Sequence, residues 1–247
     1  MMLMERFLVF PASRDGDWNP AGLEFEDVHF QAQDGVKLHG WFLEHPAPRE
    51  VVLFAHGNGG NLSHRAGMLE RIRRELGVSI MIFDYRGYGK SEGSPDEAGI
   101  LADARAARAW LARRTEKQEQ DIVLLGRSLG GGVMVDLAAR DGARALILES
   151  TFTALPDVAA YHYPWLPVRW IMRTRLNSLD KIGAYAGPVL QSHGTADRVI
   201  PFEIGQRLFE AVPDPGKKFI EFRGLGHNQE DWQANRLELK QFFDRLR

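Results

Sequence analysis

The chain has 247 residues, of which 44% are hydrophobic and 26% charged, so it can bury a large core without disulfides or a structural metal. Its 31 basic and 33 acidic residues leave a net charge of -2, which argues against a nucleic-acid-binding protein with a strongly basic surface. Cysteine is absent, which excludes disulfides, thiolate nucleophiles and cysteine-ligated metals. No apolar run approaches the ~20 residues that span a bilayer, and no signal peptide is recognisable. These features predict a soluble, cytoplasmic protein without an integral membrane segment.

The first ten residues contain a short apolar stretch that Glu5 and Arg6 interrupt. We expect its apolar side chains to pack against the core, although a weak anchor in a membrane interface is the alternative. The side chains concerned are Leu3, Phe7, Leu8 and Phe10.

Apolar runs and amphipathic stretches then alternate along the chain. Residues 23–31 and 36–43 flank the turn dipeptide Asp34-Gly35 and predict a β-hairpin. Short, nearly continuous apolar runs follow, as is typical of strands buried on both faces of a parallel sheet. They cover residues 51–55, 78–84, 122–126, 145–148, 189–192 and 219–222. Helical spacing occupies residues 63–76, 95–114, 129–139, 201–212 and 229–246. The alternation predicts an α/β fold with a mostly parallel eight-stranded sheet and helices on both faces.

One segment, residues 150–186, interrupts this alternation. It holds no strand-like run and is rich in aromatic residues and proline, and an insertion of this length in a compact domain is usually functional. We therefore expect one domain over residues 1–247, with 150–186 as a short helical cap. The cap's aromatic side chains suggest an apolar pocket for a short to medium acyl chain.

The most informative motif is Gly126-Arg127-Ser128-Leu129-Gly130, which lies between a buried strand and an apolar helix. Gly-x-Ser-x-Gly in this context predicts a nucleophile elbow, a turn so sharp that glycine is needed on either side of the serine. The strained turn would hold the Ser128 hydroxyl above the carboxyl edge of the sheet. Ser128 is therefore the candidate nucleophile.

A serine nucleophile needs a base and a group that orients the base, in the chain order serine, acid, histidine for this arrangement. Asp197 follows the strand at 189–192, and His227 lies in a glycine-rich loop after the last strand. Both would lie at the same sheet edge as Ser128. Glu149, at the end of the strand at 145–148, is the rival for the acid.

We expect the other histidines and several aspartates to have structural roles rather than catalytic ones. His56 and His193 precede glycines at strand ends, where we expect them to form hydrogen bonds that shape loops. We expect the remaining histidines to lie on the surface or in the cap, and these are His29, His39, His45, His64 and His162. We expect turn or helix-cap roles for Asp84, Asp180 and Asp231.

An oxyanion hole would need backbone N–H groups near Ser128. The residue after the nucleophile, Leu129, supplies the first, and the glycine-rich loop 56–61 supplies the second, which we assign to Asn58 with Gly59 as the alternative. Residues 83–91 lack the spacing of a phosphate-binding loop, and no metal-ligand motif is recognisable. We therefore expect neither a cofactor nor a metal.

Taken in order, these motifs resemble the α/β-hydrolases over nearly the whole chain. The matching segments are 56–58, 84–89, 126–131, 193–197 and 226–228. More narrowly, the chain is similar to the bud-emergence-type branch of serine hydrolases, which includes acyl-protein thioesterases and uncharacterised bacterial esterases. Members often carry an N-terminal membrane helix before a Phe-x-Pro segment. Residues 9–11 resemble that segment, without such a helix in this sequence.

These observations predict a serine hydrolase that cleaves carboxylic esters or thioesters through a Ser-His-Asp acyl-enzyme mechanism. Its partner would be a small-molecule acyl ester or thioester, and the sequence sets no expectation for the oligomeric state. A peptidase or amidase of the same fold, or a non-catalytic ligand-binding protein, is the alternative.

Overall fold

The strands form one sheet in the computed structural model, which describes residues 2–229 and 231–246. Their bounds are β1 Glu26–Gln31, β2 Lys37–Leu43, β3 Val51–Ala55, β4 Ser79–Phe83, β5 Val123–Arg127, β6 Ala145–Glu149, β7 Val189–Gly194 and β8 Lys218–Phe222. Within the described residues the sheet has eight strands in the order β1-β2-β4-β3-β5-β6-β7-β8. Among the strand pairs of the described residues, only β1–β2 and β2–β4 are antiparallel. The predicted mostly parallel sheet with an antiparallel hairpin at one edge is thus confirmed.

The central strands are buried on both faces, and their alternate side chains belong to two separate cores. In β3, Leu53 faces one core and Phe54 the other. In β5, Leu124 and Leu125 divide in the same way. This division explains the near-continuous apolar runs, because a two-sided strand needs apolar side chains at every position.

Helices cover both faces. Their bounds are α1 Met2–Val9, α2 Ala66–Leu76, α3 Glu97–Arg114, α4 Leu129–Asp141, α5 Leu155–His162, α6 Val168–Ile171, α7 Leu179–Ile182, α8 Phe202–Glu210 and α9 Trp232–Arg245. Apolar residues of α3, α4 and α8 belong to one core, and those of α2 and α9 belong to the other. Every strand-to-strand crossover within the parallel part of the sheet thus carries helical residues on one face or the other.

The N-terminal segment differs from the prediction. It forms the helix α1, and Phe10 just after it is buried as expected, but Phe7 and Leu8 are exposed. The prediction that these two side chains pack against the core is therefore wrong. The side chain of Leu3 lies outside the described residues. Among the described helices, none is both long and apolar enough to cross a membrane.

Residues 150–186 contain the short helices α5, α6 and α7 and no strand among them. Polar contacts join this cap to the rest of the protein. The Glu97 carboxylate of α3 accepts hydrogen bonds from the backbone N–H groups of Arg175 and Leu176. The Glu5 carboxylate of α1 accepts from the N–H groups of Arg173 and Thr174. Helix α1 therefore lies against the cap rather than apart from it.

Candidate active site

Ser128 lies at the junction of β5 and α4 in a strained backbone conformation, with φ 54° and ψ -117°. A positive φ is uncommon for a residue with a side chain and persists where the surroundings impose it. Here the surroundings are tight, since a Cβ on Gly126 would lie 2.5 Å from the Gly130 carbonyl oxygen. A Cβ on Gly130 would lie 1.9 Å from the Ala55 carbonyl oxygen. Both glycines are therefore required by close approach of the backbone.

The structure brings Ser128, His227 and Asp197 together. His227 Nε2 lies 3.1 Å from Ser128 Oγ, and His227 Nδ1 lies 2.7 Å from Asp197 Oδ2. The loops after β7 and β8 carry the aspartate and the histidine to the carboxyl edge of the sheet, where β5 ends. An ionised carboxylate can only accept hydrogen bonds, so Nδ1 carries the proton and Nε2 is the acceptor for the serine hydroxyl. This tautomer is the one that a general base at Ser128 requires.

Asp197 is held as an anion by several donors. Its Oδ1 accepts from the N–H groups of Val199 at 2.8 Å and Ile200 at 2.9 Å. Burial raises the pKa of the Asp197 carboxyl, whereas the contacts with His193 and His227 and the backbone hydrogen bond lower it. The lowering is the larger effect, so the pKa lies below its ordinary value. His193 Nε2 lies 3.3 Å from Asp197 Oδ2 and 2.9 Å from the Ile200 carbonyl oxygen. The predicted loop-shaping role of His193 is thus confirmed.

This lowered pKa has a consequence for stability. Because the folded protein binds its proton at Asp197 less readily than the unfolded chain does, the carboxylate stabilises the fold above its ordinary pKa of about 3.9 and loses that effect as the pH falls. We expect Asp197→Asn to have a smaller free energy of unfolding than the wild type at neutral pH, with the difference narrowing as the pH falls below about 4 toward the lower pKa of the folded state. Urea unfolding of both proteins across this pH range measures the difference in the free energy of unfolding. Parallel curves of this free energy against pH would contradict a stabilising role for the Asp197 carboxylate.

His39 differs from the prediction, because it is completely buried rather than on the surface. Asp84 is also completely buried. The Asp84 carboxylate accepts from the Leu62 N–H at 2.8 Å and lies 3.3 Å from His56 Nε2 and 3.9 Å from His39 Nδ1. Burial raises the pKa of Asp84, but the two imidazoles and the backbone hydrogen bond lower it further. Asp84 is buried because it follows the end of β4, where His56 and Leu62 contact its carboxylate. His39 is buried within β2, with the Trp18 ring 5.6 Å from its own.

Loop 56–61 also borders the serine. A Cβ on Gly57 would lie 3.4 Å from Ser128 Cβ, and both Asn58 and Leu129 line the same cavity as Ser128. The Asn58 side chain donates a hydrogen bond of 3.1 Å to the Val9 carbonyl oxygen at the end of α1. No sequence pattern indicates this contact, because it joins residues far apart in the chain.

Ser128 opens into a cavity of about 620 Å³. Apolar side chains dominate its lining, and most come from the cap, including Leu155, Val158 and Met172. Leu8 and Val9 of α1 complete the wall. The expected apolar cavity is present, but the sequence did not indicate that α1 contributes to it.

A cluster with metal-ligand chemistry lies elsewhere, at the hairpin. One potential ligand atom each from Asp27, His29 and His39 lie within 4.8 Å of one another. The Asp27 carboxylate is already engaged, since Oδ1 lies 2.6 Å from His39 Nε2 and accepts from Trp41 Nε1 at 3.0 Å. None of these side chains lines the Ser128 cavity.

A mostly parallel sheet with a serine on a strand-to-helix elbow and a histidine beside it defines the α/β-hydrolase class of fold. A family model described as the alpha/beta hydrolase fold matches residues 50–178, and the chain belongs to this family.

Related proteins agree with this assignment. An uncharacterised protein of Mycobacterium tuberculosis is 39% identical over 222 residues, covering 89% of this chain and 77% of its own length. The alpha/beta hydrolase domain-containing protein WAV2 of Arabidopsis thaliana is 35% identical over 229 residues, covering 85% of this chain and 74% of its own length. The solved esterase Pf2001 of Pyrococcus furiosus is similar in fold, with a TM-score of 0.79, 21% identity and coverage of 96% of this chain and 97% of its own.

Proposed function

We propose that this protein is a serine hydrolase of the carboxylesterase or thioesterase type, acting on short to medium acyl chains. The observation that carries the proposal is the pair of hydrogen bonds that link Ser128 Oγ to His227 Nε2 and His227 Nδ1 to Asp197 Oδ2. The Pyrococcus furiosus protein of similar fold is an esterase, which agrees with the proposal. Within the family, the resemblance of residues 9–11 to the Phe-x-Pro segment supports membership of the bud-emergence-type branch.

In the first half of the reaction, Ser128 Oγ attacks the carbonyl carbon of the ester or thioester while His227 Nε2 takes the hydroxyl proton. Asp197 holds the imidazole and stabilises the imidazolium that forms. The carbonyl electrons move onto oxygen, and the N–H groups of Leu129 and Asn58 bind this oxyanion. The N-terminus of α4 adds a favourable field for negative charge. The carbonyl then re-forms, the bond to the alcohol or thiol breaks, and His227 protonates the leaving group.

The second half repeats these steps with water. His227 removes a proton from water, and the resulting oxygen attacks the acyl carbon on Ser128. The second tetrahedral intermediate collapses, Ser128 Oγ regains a proton from His227, and the carboxylic acid leaves. The cycle consumes one water and needs no other co-reactant.

The apolar lining of the cavity supports an acyl chain as the group bound beside Ser128. A peptidase that recognises a substrate amine would need a carboxylate facing the cavity. Glu5 does line it, but this carboxylate accepts hydrogen bonds from the N–H groups of Arg173 and Thr174. The geometry therefore favours an ester or thioester over a peptide.

Filling the cavity should change the acyl-chain preference. Ala159 on α5 lines the cavity and its neighbour Ala160 does not. We expect Ala159→Phe to lower kcat/KM for the longer p-nitrophenyl esters by about tenfold or more, with a smaller effect on the acetate ester. The matched Ala160→Phe variant should keep the wild-type profile, and equal profiles for all three proteins would refute this cavity as the acyl site.

Two further expectations belong to the same proposal: residues 1–247 act as one domain, and the protein works in the cytoplasm. Absence of turnover with every ester length would redirect the assay to thioesters and then to amides. Labelling of Ser128 by a fluorophosphonate without turnover of any of these substrates would favour the non-catalytic ligand-binding alternative.

A further inference from the structure

Exposed aromatic and aliphatic side chains are concentrated on α1 and the cap, beside the Ser128 cavity. Trp170 is 88% exposed and Trp165 74% exposed, values that are unusual for indole side chains. We call this set the aromatic face, and its members are Phe7, Leu8, Tyr161, Tyr163, Trp165, Leu166, Trp170 and Ile171. Exposed apolar surface concentrated in one region of a protein marks an interaction site.

The aromatic face is continuous with the cavity. Four of its members, Leu8, Tyr163, Leu166 and Ile171, also line the cavity that contains Ser128. Two elements distant in sequence, α1 and the cap, therefore contribute both to the cavity wall and to the exposed surface outside it. Whatever covers this face also covers the entrance to the serine.

Arginine side chains border the aromatic face. Residues 158–179 contain Arg169, Arg173 and Arg175 and no aspartate or glutamate, although the whole chain carries a net charge of -2. Among the carboxylates nearby, Glu5 and Glu97 accept hydrogen bonds from backbone N–H groups of residues 173–176.

Asp157 is likewise engaged, by the guanidinium groups of Arg169 and Arg207. The segment that carries both tryptophans, residues 158–179, thus combines exposed indole rings with three arginines and contains no carboxylate side chain of its own.

We propose that the aromatic face docks on an anionic phospholipid bilayer. Tryptophan and tyrosine favour the interface between lipid headgroups and acyl chains, because their rings are apolar and their N–H or O–H groups remain hydrated. Arginines beside them attract the negative headgroups. Packing within the protein does not explain the exposed aromatic side chains, since they remain open to solvent.

The docked orientation has a consequence for the substrate, which rests on the proposed hydrolase function. With the aromatic face on the bilayer, the cavity entrance faces the lipid, and an acyl chain can pass from the membrane to Ser128 without crossing water. The substrate class would then be an acyl ester or thioester whose chain resides in the membrane.

The test measures binding of the purified full chain to sedimented vesicles. The vesicles consist either of phosphatidylcholine alone or of phosphatidylcholine mixed with phosphatidylglycerol. We expect binding to the mixed vesicles that weakens as salt is added. The double variant Trp165→Ala/Trp170→Ala should bind them about tenfold less or weaker still. Leu237→Ala, which removes a 56%-exposed apolar side chain from α9, is the matched control and should bind as the wild type does.

Binding is measured without turnover, so its outcome is independent of whether the hydrolase proposal holds. Neither Trp165 nor Trp170 lines the Ser128 cavity, and the double variant should hydrolyse a short water-soluble ester at the wild-type rate. Absence of vesicle binding, or equal binding by the double variant and the wild type, would overturn the proposal. Self-association that depends on the two tryptophans, without vesicle binding, would assign the face to a second copy of the chain and overturn it as well.

Discussion

Replacement of Ser128 by alanine should lower kcat for p-nitrophenyl ester hydrolysis by about 10⁴- to 10⁶-fold. The variant keeps the cavity and the backbone donors but lacks the hydroxyl oxygen that we propose as the nucleophile. Steady-state rates over a series of acyl lengths measure the loss. Circular dichroism and thermal unfolding check that the variant is folded.

The structure offers a matched control for this change. Ser150 follows β6 as Ser128 follows β5, and it has a similarly positive φ of 45°. It does not line the cavity, so Ser150→Ala imposes the same alteration on a strained serine without removing the proposed nucleophile. We expect near-normal rates for Ser150→Ala. Full turnover by a clean preparation of Ser128→Ala would rule out the nucleophile assignment.

The second large effect is expected for Asp197→Asn, which should reduce kcat by about 10⁴-fold. An amide in place of the carboxylate can donate a hydrogen bond to Nδ1, which favours the tautomer with the proton on Nε2. That tautomer cannot accept the proton of the Ser128 hydroxyl, and the imidazolium loses its counter-charge. The measurement is kcat at a pH well above the ordinary range of carboxyl groups.

The substitution Glu149→Gln tests which of the two candidate acids, Asp197 or Glu149, assists His227. Glu149 ends β6 and is almost completely buried, with Oε1 lying 3.4 Å from Asn235 Nδ2, whereas Asp197 is hydrogen-bonded to His227. We expect the Glu149→Gln rate to stay within a few-fold of the wild type. A large loss in Glu149→Gln together with a near-normal rate in Asp197→Asn would transfer the acid role to Glu149.

The sheet and the grouping of Ser128, Asp197 and His227 were accessible from sequence because their signals are local. A strand buried on both faces must be apolar throughout, and the elbow needs glycine two residues before and after Ser128. Parallel strands all end at one edge, so residues just after β5, β7 and β8 must lie near each other. Predicting the sheet and this grouping therefore required no knowledge of contacts between distant residues.

The features that could not be predicted from the sequence depend on contacts between distant segments. Asp84 and His39 look like ordinary polar residues, and their burial depends on distant segments. His56 and Leu62 contact the Asp84 carboxylate, and the Trp18 ring lies 5.6 Å from the His39 ring. The exposure of Phe7 and Leu8 is equally nonlocal, since an apolar residue does not reveal whether the fold leaves a partner for it. The hydrogen bond from Asn58 to the Val9 carbonyl oxygen joins two segments for which no periodic pattern exists.

Helix α1 forms hydrogen bonds with two separate segments beside the Ser128 cavity. Glu5 binds the cap backbone at residues 173 and 174, and the Val9 carbonyl oxygen binds Asn58 in the loop beside Ser128. An affinity tag fused to the N-terminus would therefore perturb a helix that connects the cap to the loop beside Ser128. A tag after α9 would follow a helix that contributes no residue to the lining of the cavity. Kinetic constants are best compared between variants that carry their tag at the C-terminus.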